Sequence, residues 1–250
     1  MKNFVRWLCA VAFSRALAFR SRPYAFPSGT ALVIAPHADD EALGCGGLIA
    51  AKRERGHEVQ VVFITDSAAS HRDHHALTGE AVADMRRAEA LQSLALLGVP
   101  ATHVYFFDVP DGTLNKLTPT AQVGIVLRLA TLIRDSGATE IFAPYRDGGS
   151  SEHTVAQQMT ALAARSCGVG TLHEYPIWAW WNPFRLRSRL ASNATNLRLE
   201  LGPLRTLKHA ALACHRSQME PQPPATEPAL PPILARLCCG PTEFFFQRST

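Results

Sequence analysis

Ala31-Leu-Val-Ile-Ala35-Pro36-His37-Ala38-Asp39-Asp40-Glu41 is an unbroken apolar run that empties into one histidine and three carboxylates. A run this short, without alternation and bounded by Pro27-Ser28-Gly29 before and Pro36 after, predicts a strand buried on both faces. Asp40 to Arg55 then reads as a helix, with Leu43, Gly47, Ala50 and Ala51 on one stripe. Lys52, Arg53 and Arg55 sit near its C-terminus, where cations favour the dipole, and Gly56 ends it. His57 to Thr65 holds a second unalternating run, Val59-Gln-Val-Val-Phe-Ile64. Strand, helix, strand in this order implies parallel pairing through a right-handed crossover.

The same unit repeats. A helix over Ala81 to Gly98, with Ala81, Met85, Ala88, Leu91 and Ala95 facing inward, precedes a strand at Thr102 to Phe107. A helix over Pro119 to Asp135, with Val123, Val126, Leu127, Ala130 and Ile133 inward, precedes a strand at Glu140 to Ala143 and a helix from Thr154 to Ser166. The fold class is therefore α/β: a mostly parallel sheet flanked by helices, one domain, with a less regular C-terminal part. The polar loops, including the histidine-rich Asp66 to Gly79, fall along one edge of such a sheet, where open α/β folds bind ligands.

Past Cys167 the pattern weakens. His173 to Trp181 mixes strand residues with three tryptophans, Asn196 to Leu201 alternates like a strand, and Leu204 to His215 reads as a helix. Glu220 to Pro232 is proline-rich and extended. The expected organisation is an N-terminal segment over 1–28, either amphipathic or disordered, a main domain over 29–220, and a segment over 221–250 that packs on it.

Composition narrows the function. At 250 residues and 47% hydrophobic the chain can bury a full core, and a net charge of +4 with scattered cations does not indicate a nucleic-acid groove. Cys9, Cys45, Cys167, Cys214, Cys238 and Cys239 form no Cys-x-x-Cys pair, which points to thiols in a reducing, cytoplasmic setting. No run approaches the roughly 18 to 20 apolar residues of a membrane span. Met1 to Arg22 has the outline of a weak signal sequence around Trp7 to Phe13, but Arg15 and Arg20 follow and no cleavage site does. An amphipathic helix, with Phe and Trp on one side and Arg on the other, fits better. Such a helix would either touch a membrane surface or dock on the domain.

His37 and Asp40 are three apart where a strand becomes a helix, a spacing that lets an imidazole and a carboxylate converge on one point. A catalytic divalent metal needs a third protein ligand and an open position, and His153 at the start of a later helix is the best candidate. Zinc, or another divalent metal, held by His37, Asp40 and His153 would bring a bound water's pKa to about 7. Asp39 would take that water's proton and return it to a leaving amine. The same residues also suit plain helix capping, with Asp39 or Asp40 as the N-cap and Glu41 in the first turn.

The stretch Ala35 to Glu41, with Gly44-Cys-Gly-Gly47 after it, resembles the signature of the LmbE/PIG-L-like zinc N-deacetylases. Arg86 and Glu89 before Leu97-Gly98, the Asp111-Gly112 turn, and Lys208-x-x-Ala-x-x-x-Cys-His215-x-Ser217-Gln218 extend the likeness over roughly 30–220. The resemblance implies a Rossmann-like domain that hydrolyses an N-acetyl group from a small or lipid-linked amino sugar. It assigns His37, Asp40 and His153 to zinc and Asp39 to the general base. Arg86 reads as a substrate contact, and His215 and Gln218 as substrate-contacting or helix-capping.

There is one departure. Where the family reads His-Pro-Asp-His, this chain has Ser150-Ser151-Glu152-His153. The absent first histidine leaves an oxyanion donor to be found, and Arg146, Tyr145 or a histidine of the loop carrying His71, His74 and His75 are the candidates. Trp178, with Trp180 and Trp181, belongs either to the core or against a sugar ring. Small residues at Gly44 to Gly47 favour close packing of helix on sheet over a dinucleotide fingerprint. Ser217 lacks the glycine elbow of a nucleophile.

Overall fold

The computed structural model describes residues 2–71, 77–191 and 195–250. Helix α1 (Lys2–Arg20) leads into β1 (Arg22–Pro23), and the decisive stretch follows as β2 (Thr30–Ala35) and α2 (Asp40–Glu54). Then come β3 (Val59–Thr65), α3 (Gly79–Leu96), β4 (Val104–Val109), α4 (Pro119–Ser136), β5 (Ala138–Pro144), α5 (Ser151–Ser166) and β6 (Thr171–Tyr175). The C-terminal part contains α6 (Arg187–Ala191), β7 (Asn196–Glu200), α7 (Leu204–Ala213), α8 (Arg216–Met219), α9 (Pro232–Cys238) and β8 (Thr242–Ser249).

Among the described residues these strands make one sheet in the order β1-β7-β8-β6-β5-β2-β3-β4. The strands from β2 to β6 pair in parallel, as the repeated strand–helix unit requires. From β2 the chain moves outward to β3 and β4, then returns to β5 on the other side of β2. The strand order therefore reverses between β2 and β5, and a crevice opens at their carboxyl ends. His37 follows β2 and His153 follows β5, so topology alone carries both to that crevice.

Two helices are turned differently from their apolar periodicity. On α3 the buried positions are Val82, Arg86, Glu89, Ala90, Ser93 and Leu94, not the stripe through Ala81 and Ala88. The inward face carries charge because Arg86 and Glu89 find partners there, which a count of apolar residues alone does not register. On α4, Val123 and Leu127 are more than half exposed, while Ile125, Leu129, Ala130, Leu132 and Ile133 are buried. That helix is apolar on several faces, and the sheet selects the row through Ile125, Leu129 and Ile133.

The tryptophans lie outside the strand. β6 ends at Tyr175, and Trp178–Trp180 form a 3-10 turn above the sheet edge. The final strand, β8, inserts antiparallel between β6 and β7, and its Phe244-Phe245-Phe246 run is buried. Helix α2 is buried on nearly all sides between the sheet and α7. Gly44 is what allows this: a Cβ there would run into the ring of Tyr175, whose hydroxyl donates to Ile34 O at 2.6 Å. Helix α1 docks through Ala10 and Leu17, both fully buried, and Phe13 meets Phe184 edge-on at 5.6 Å.

Candidate metal centre

The Pro36-His37-Ala38-Asp39 loop is stitched to the end of β3. Thr65 donates its amide and its hydroxyl to Pro36 O, and Ala38 N–H donates to Ser67 Oγ at 2.9 Å. Held this way, Asp40 opens α2 with its Oδ2 3.2 Å from His37 Nδ1. The same oxygen is 3.2 Å from His153 Nε2, which arrives on the first turn of α5. That turn is capped by Ser150, whose Oγ accepts the His153 N–H at 3.4 Å.

One observation bears on whether this cluster could hold a metal. His153 Nε2 is buried and makes no hydrogen bond, although it faces Asp40. That nitrogen meets Asp40 only as an ion-pair contact, and His37 Nδ1, Asp40 Oδ2 and His153 Nε2 lie within 4.8 Å of one another, close enough to share one cation. The other ring nitrogen of His37 supports the same arrangement. Its Nε2 lies 2.9 Å from Glu152 Oε2 and 3.2 Å from Asp111 Oδ1, so Nε2 keeps a proton in either charge state, and a cation bound at Nδ1 would take the place of the second proton.

The His37, Asp111 and Glu152 donors also cluster. Those carboxylates are already engaged, however: Asp111 accepts Ala69 N–H at 2.9 Å and Glu152 accepts Leu114 N–H at 3.0 Å. Burial pushes the His37 pKa down, but Asp111, Asp40 and Glu152 outweigh it and raise it well above the usual histidine range. The imidazole thus takes up positive charge that a divalent cation would otherwise supply. Asp40 shifts the opposite way: burial raises it, and His153 and His37 pull it lower overall.

Asp39 is the odd member. Its φ of 132° lies in the left-handed half of the map, a strained conformation for a non-glycine residue. Two contacts hold it there: its N–H donates to Glu41 Oε2 at 2.9 Å, and its Oδ2 lies 3.2 Å from the Arg86 guanidinium. Burial pushes the Asp39 carboxyl up to about 6, with Arg86 opposing the rise.

His37, Asp39 and Asp40 floor a cavity of about 320 Å³ that is also lined by Arg86, Asp111, Ser150, Trp178, Gln218 and Leu230, with His153 behind Asp40 and outside the lining. Of the residues singled out from sequence, Arg86, Trp178 and Gln218 reach it. His215 does not: it is fully buried with Nε2 2.8 Å from Glu41 Oε1, beneath the turn rather than in the cavity. Tyr145 is drawn into the core against Phe246 at 5.0 Å, its hydroxyl facing Ser188, and Arg146 lines a separate surface groove. Between β5 and α5 the chain turns through Arg146–Gly148 and regains the cavity only at Ser150. His71 bonds Ser70 Oγ at 2.8 Å and lines a neighbouring cavity; His74 and His75 lie outside the described residues. Sequence reading missed the roles of Asp111 and Glu41, whose only local signals were a turn and a helix start.

The family model described as PIG-L, GlcNAc-PI de-N-acetylase, matches residues 32–164. The chain belongs to the PIG-L family. The matched stretch contains His37, Asp39, Asp40, Asp111, Glu152 and His153. A curated relative, 2'-N-acetylparomamine deacetylase of Streptomyces fradiae, is 31% identical over 154 residues, covering 58% of this chain and 55% of that protein. The chain thus spans about half the length of that relative. The N,N'-diacetylchitobiose deacetylase of Pyrococcus horikoshii superposes with a TM-score of 0.58 at 24% identity, over 76% of this chain and 71% of that one. A 4-carboxy-2-hydroxymuconate hydratase from Pseudomonas putida superposes at 0.64 with 18% identity, over 89% and 96%. At these identities the solved structures show that the PIG-L-like fold is shared, and no more.

Proposed function

We propose that the protein is a zinc-dependent hydrolase that removes an N-acetyl or other N-acyl group from an amino sugar or its conjugate. The observation that carries this reading is His153 Nε2, buried without a hydrogen bond 3.2 Å from Asp40 Oδ2, with His37 Nδ1 on the same oxygen and the raised carboxyl of Asp39 on the adjoining cavity wall. Two imidazoles and one carboxylate are a donor set that suits zinc and leaves an open position. A bound divalent metal supplies Lewis acidity toward an amide carbonyl and acidifies a coordinated water.

The chain's own residues do the rest. Asp39, with a pKa about 6, is ionised near neutrality yet basic enough to accept a proton from the attacking water and pass it to the departing amine. Arg86 fixes the orientation of that carboxylate. Ser150 already accepts the His153 N–H, so its own hydroxyl proton is available for the oxygen that gains charge, at the position where the family histidine is absent. Trp178 offers an apolar face to a sugar ring and Gln218 an amide to its hydroxyls.

A cavity of about 320 Å³ is at the small end of ligand pockets and suits one ring. The Streptomyces relative and the Pyrococcus structure are both named for N-acetylated amino sugars, which supports the substrate class. An amino-sugar glycolipid would present the same ring. No described helix is long and apolar enough to cross a membrane, and the six cysteines are free thiols, which supports a cytoplasmic setting.

Metal analysis of the purified protein, followed by an amine-release assay on N-acetylglucosamine conjugates with and without chelator, tests the reading. Bound zinc and chelator-sensitive release are expected. His37→Ala and His153→Ala should lose metal and turnover together, whereas Asp39→Asn should keep metal and lose turnover. Metal-loaded protein that frees no amine from any acyl-amino sugar overturns it.

A further inference from the structure

We propose that α1 docks this protein on an anionic lipid surface through its outward face. The proposal is independent of the reaction at the metal centre and rests on how α1 distributes its side chains. At 3.6 residues per turn, Ala10, Phe13 and Leu17 point toward the domain, and Arg6 lies 3.8 Å over the Trp181 ring on the same side. A helix docked in this way ordinarily turns polar residues outward. Here Val5, Leu8, Ala12, Ala16 and Phe19 form a continuous outward stripe with Phe4 beside it, and every one of them is exposed, Phe19 at 92%. The helix is apolar on two opposite faces.

The charges around this stripe indicate what covers it. Lys2, Arg6, Arg15 and Arg20 are the charged residues of α1, and it has no acid. Arg15 projects along one flank of the stripe and Arg20 along the other. Beneath the Arg15 flank lies a second cavity of about 320 Å³, between α1 and the C-terminal part. It is lined by Arg15, Arg205 and Arg236 with Trp7 and Trp180, and no carboxylate is among its lining residues. Three guanidiniums over an aromatic floor suit a lipid phosphate, with acyl chains against the stripe beside it. A second copy of the chain seated on the stripe would bring like charge against like, so the arginines argue against self-association. A stripe flanked by cations on a helix that cannot span a bilayer fits a helix lying in the membrane interface.

The test is co-sedimentation of the full chain with phosphatidylcholine vesicles, with and without phosphatidylglycerol. Binding is expected only when phosphatidylglycerol is present, and it should fall with added salt. Arg15→Gln and Arg236→Gln should each weaken it about fivefold. The double variant Leu8→Ser/Phe19→Ser, at exposed positions, should weaken it by at least about tenfold with an unchanged circular dichroism spectrum. Absence of vesicle binding overturns the proposal, as does equal binding to phosphatidylcholine alone. So does a dimer in light scattering that Leu8→Ser dissociates, since the stripe would then belong to a second copy.

Discussion

His215 Nε2 lies 2.8 Å from Glu41 Oε1 with both side chains fully buried, and the second Glu41 oxygen accepts the N–H of Asp39 at 2.9 Å. A residue of the C-terminal part, outside the stretch matched by the family model, thus anchors the strained turn that presents Asp39 and Asp40. Removing it takes the imidazole partner from a buried carboxylate that keeps only the Asp39 N–H and the Ser93 hydroxyl. His215→Ala should cost about 3–5 kcal/mol in urea denaturation and weaken metal binding. A loss below about 1 kcal/mol would mean that the pair is dispensable.

Glu152 occupies the place of the family aspartate and holds the His37 Nε2 proton. Glu152→Gln should leave the fold intact and lower metal affinity about 10- to 100-fold, measured by competition with a chromogenic chelator. Asp111, 3.2 Å from the same nitrogen, limits the single loss. Glu152→Gln/Asp111→Asn should therefore bind metal more weakly than either single variant.

Arg86 opposes the upward push of burial on Asp39. Arg86→Met removes that cation, so the Asp39 carboxyl should move further above about 6. The acid limb of the kcat/KM profile should then shift to higher pH than in the parent enzyme, both metal-loaded. An unmoved acid limb would separate Arg86 from the proton-transfer group.

His173, stacked on Phe142 at 4.9 Å, titrates low because burial disfavours its charged form, with Lys52 adding to the effect and Glu140 opposing it. Above its unfolded value of 6.5 the ring is neutral in both states and carries no penalty. As the pH falls through that value, the unfolded chain takes up a proton that the folded one refuses, and stability is lost. His173→Phe should flatten this loss, so the melting temperatures of variant and parent should differ less favourably for the parent near about pH 5 than near about pH 8. Parallel curves would assign the acid sensitivity to other groups.

The alternation of buried strands and helices from Ala31 onward was legible because backbone periodicity is a local property. So was the pairing of His37 with Asp40, since three residues at a strand end leave little freedom. The facing of α3 was not: its buried side includes Arg86 and Glu89, whose burial depends on Asp39 and on Ser217, where Glu89 accepts the hydroxyl proton at 2.6 Å. Tyr145 and Arg146 were the candidates on the loop after β5, and Ser150 was not among them, because loop residues have no intrinsic direction until the core claims one of them.

From sequence alone, the strand running into Pro36-His37-Ala38-Asp39-Asp40-Glu41 determined a parallel α/β sheet with a histidine and carboxylates at its carboxyl edge. Covalent spacing and local geometry suffice for that. Only the tertiary structure decided that Ser150 and Asp111 line the cavity beside His37, that Glu152 reaches the His37 ring, that His215 lies beneath the turn, and that β8 closes the sheet between β6 and β7. Those relationships join segments far apart in the chain, and burial and charge compensation select them only once the segments are packed together.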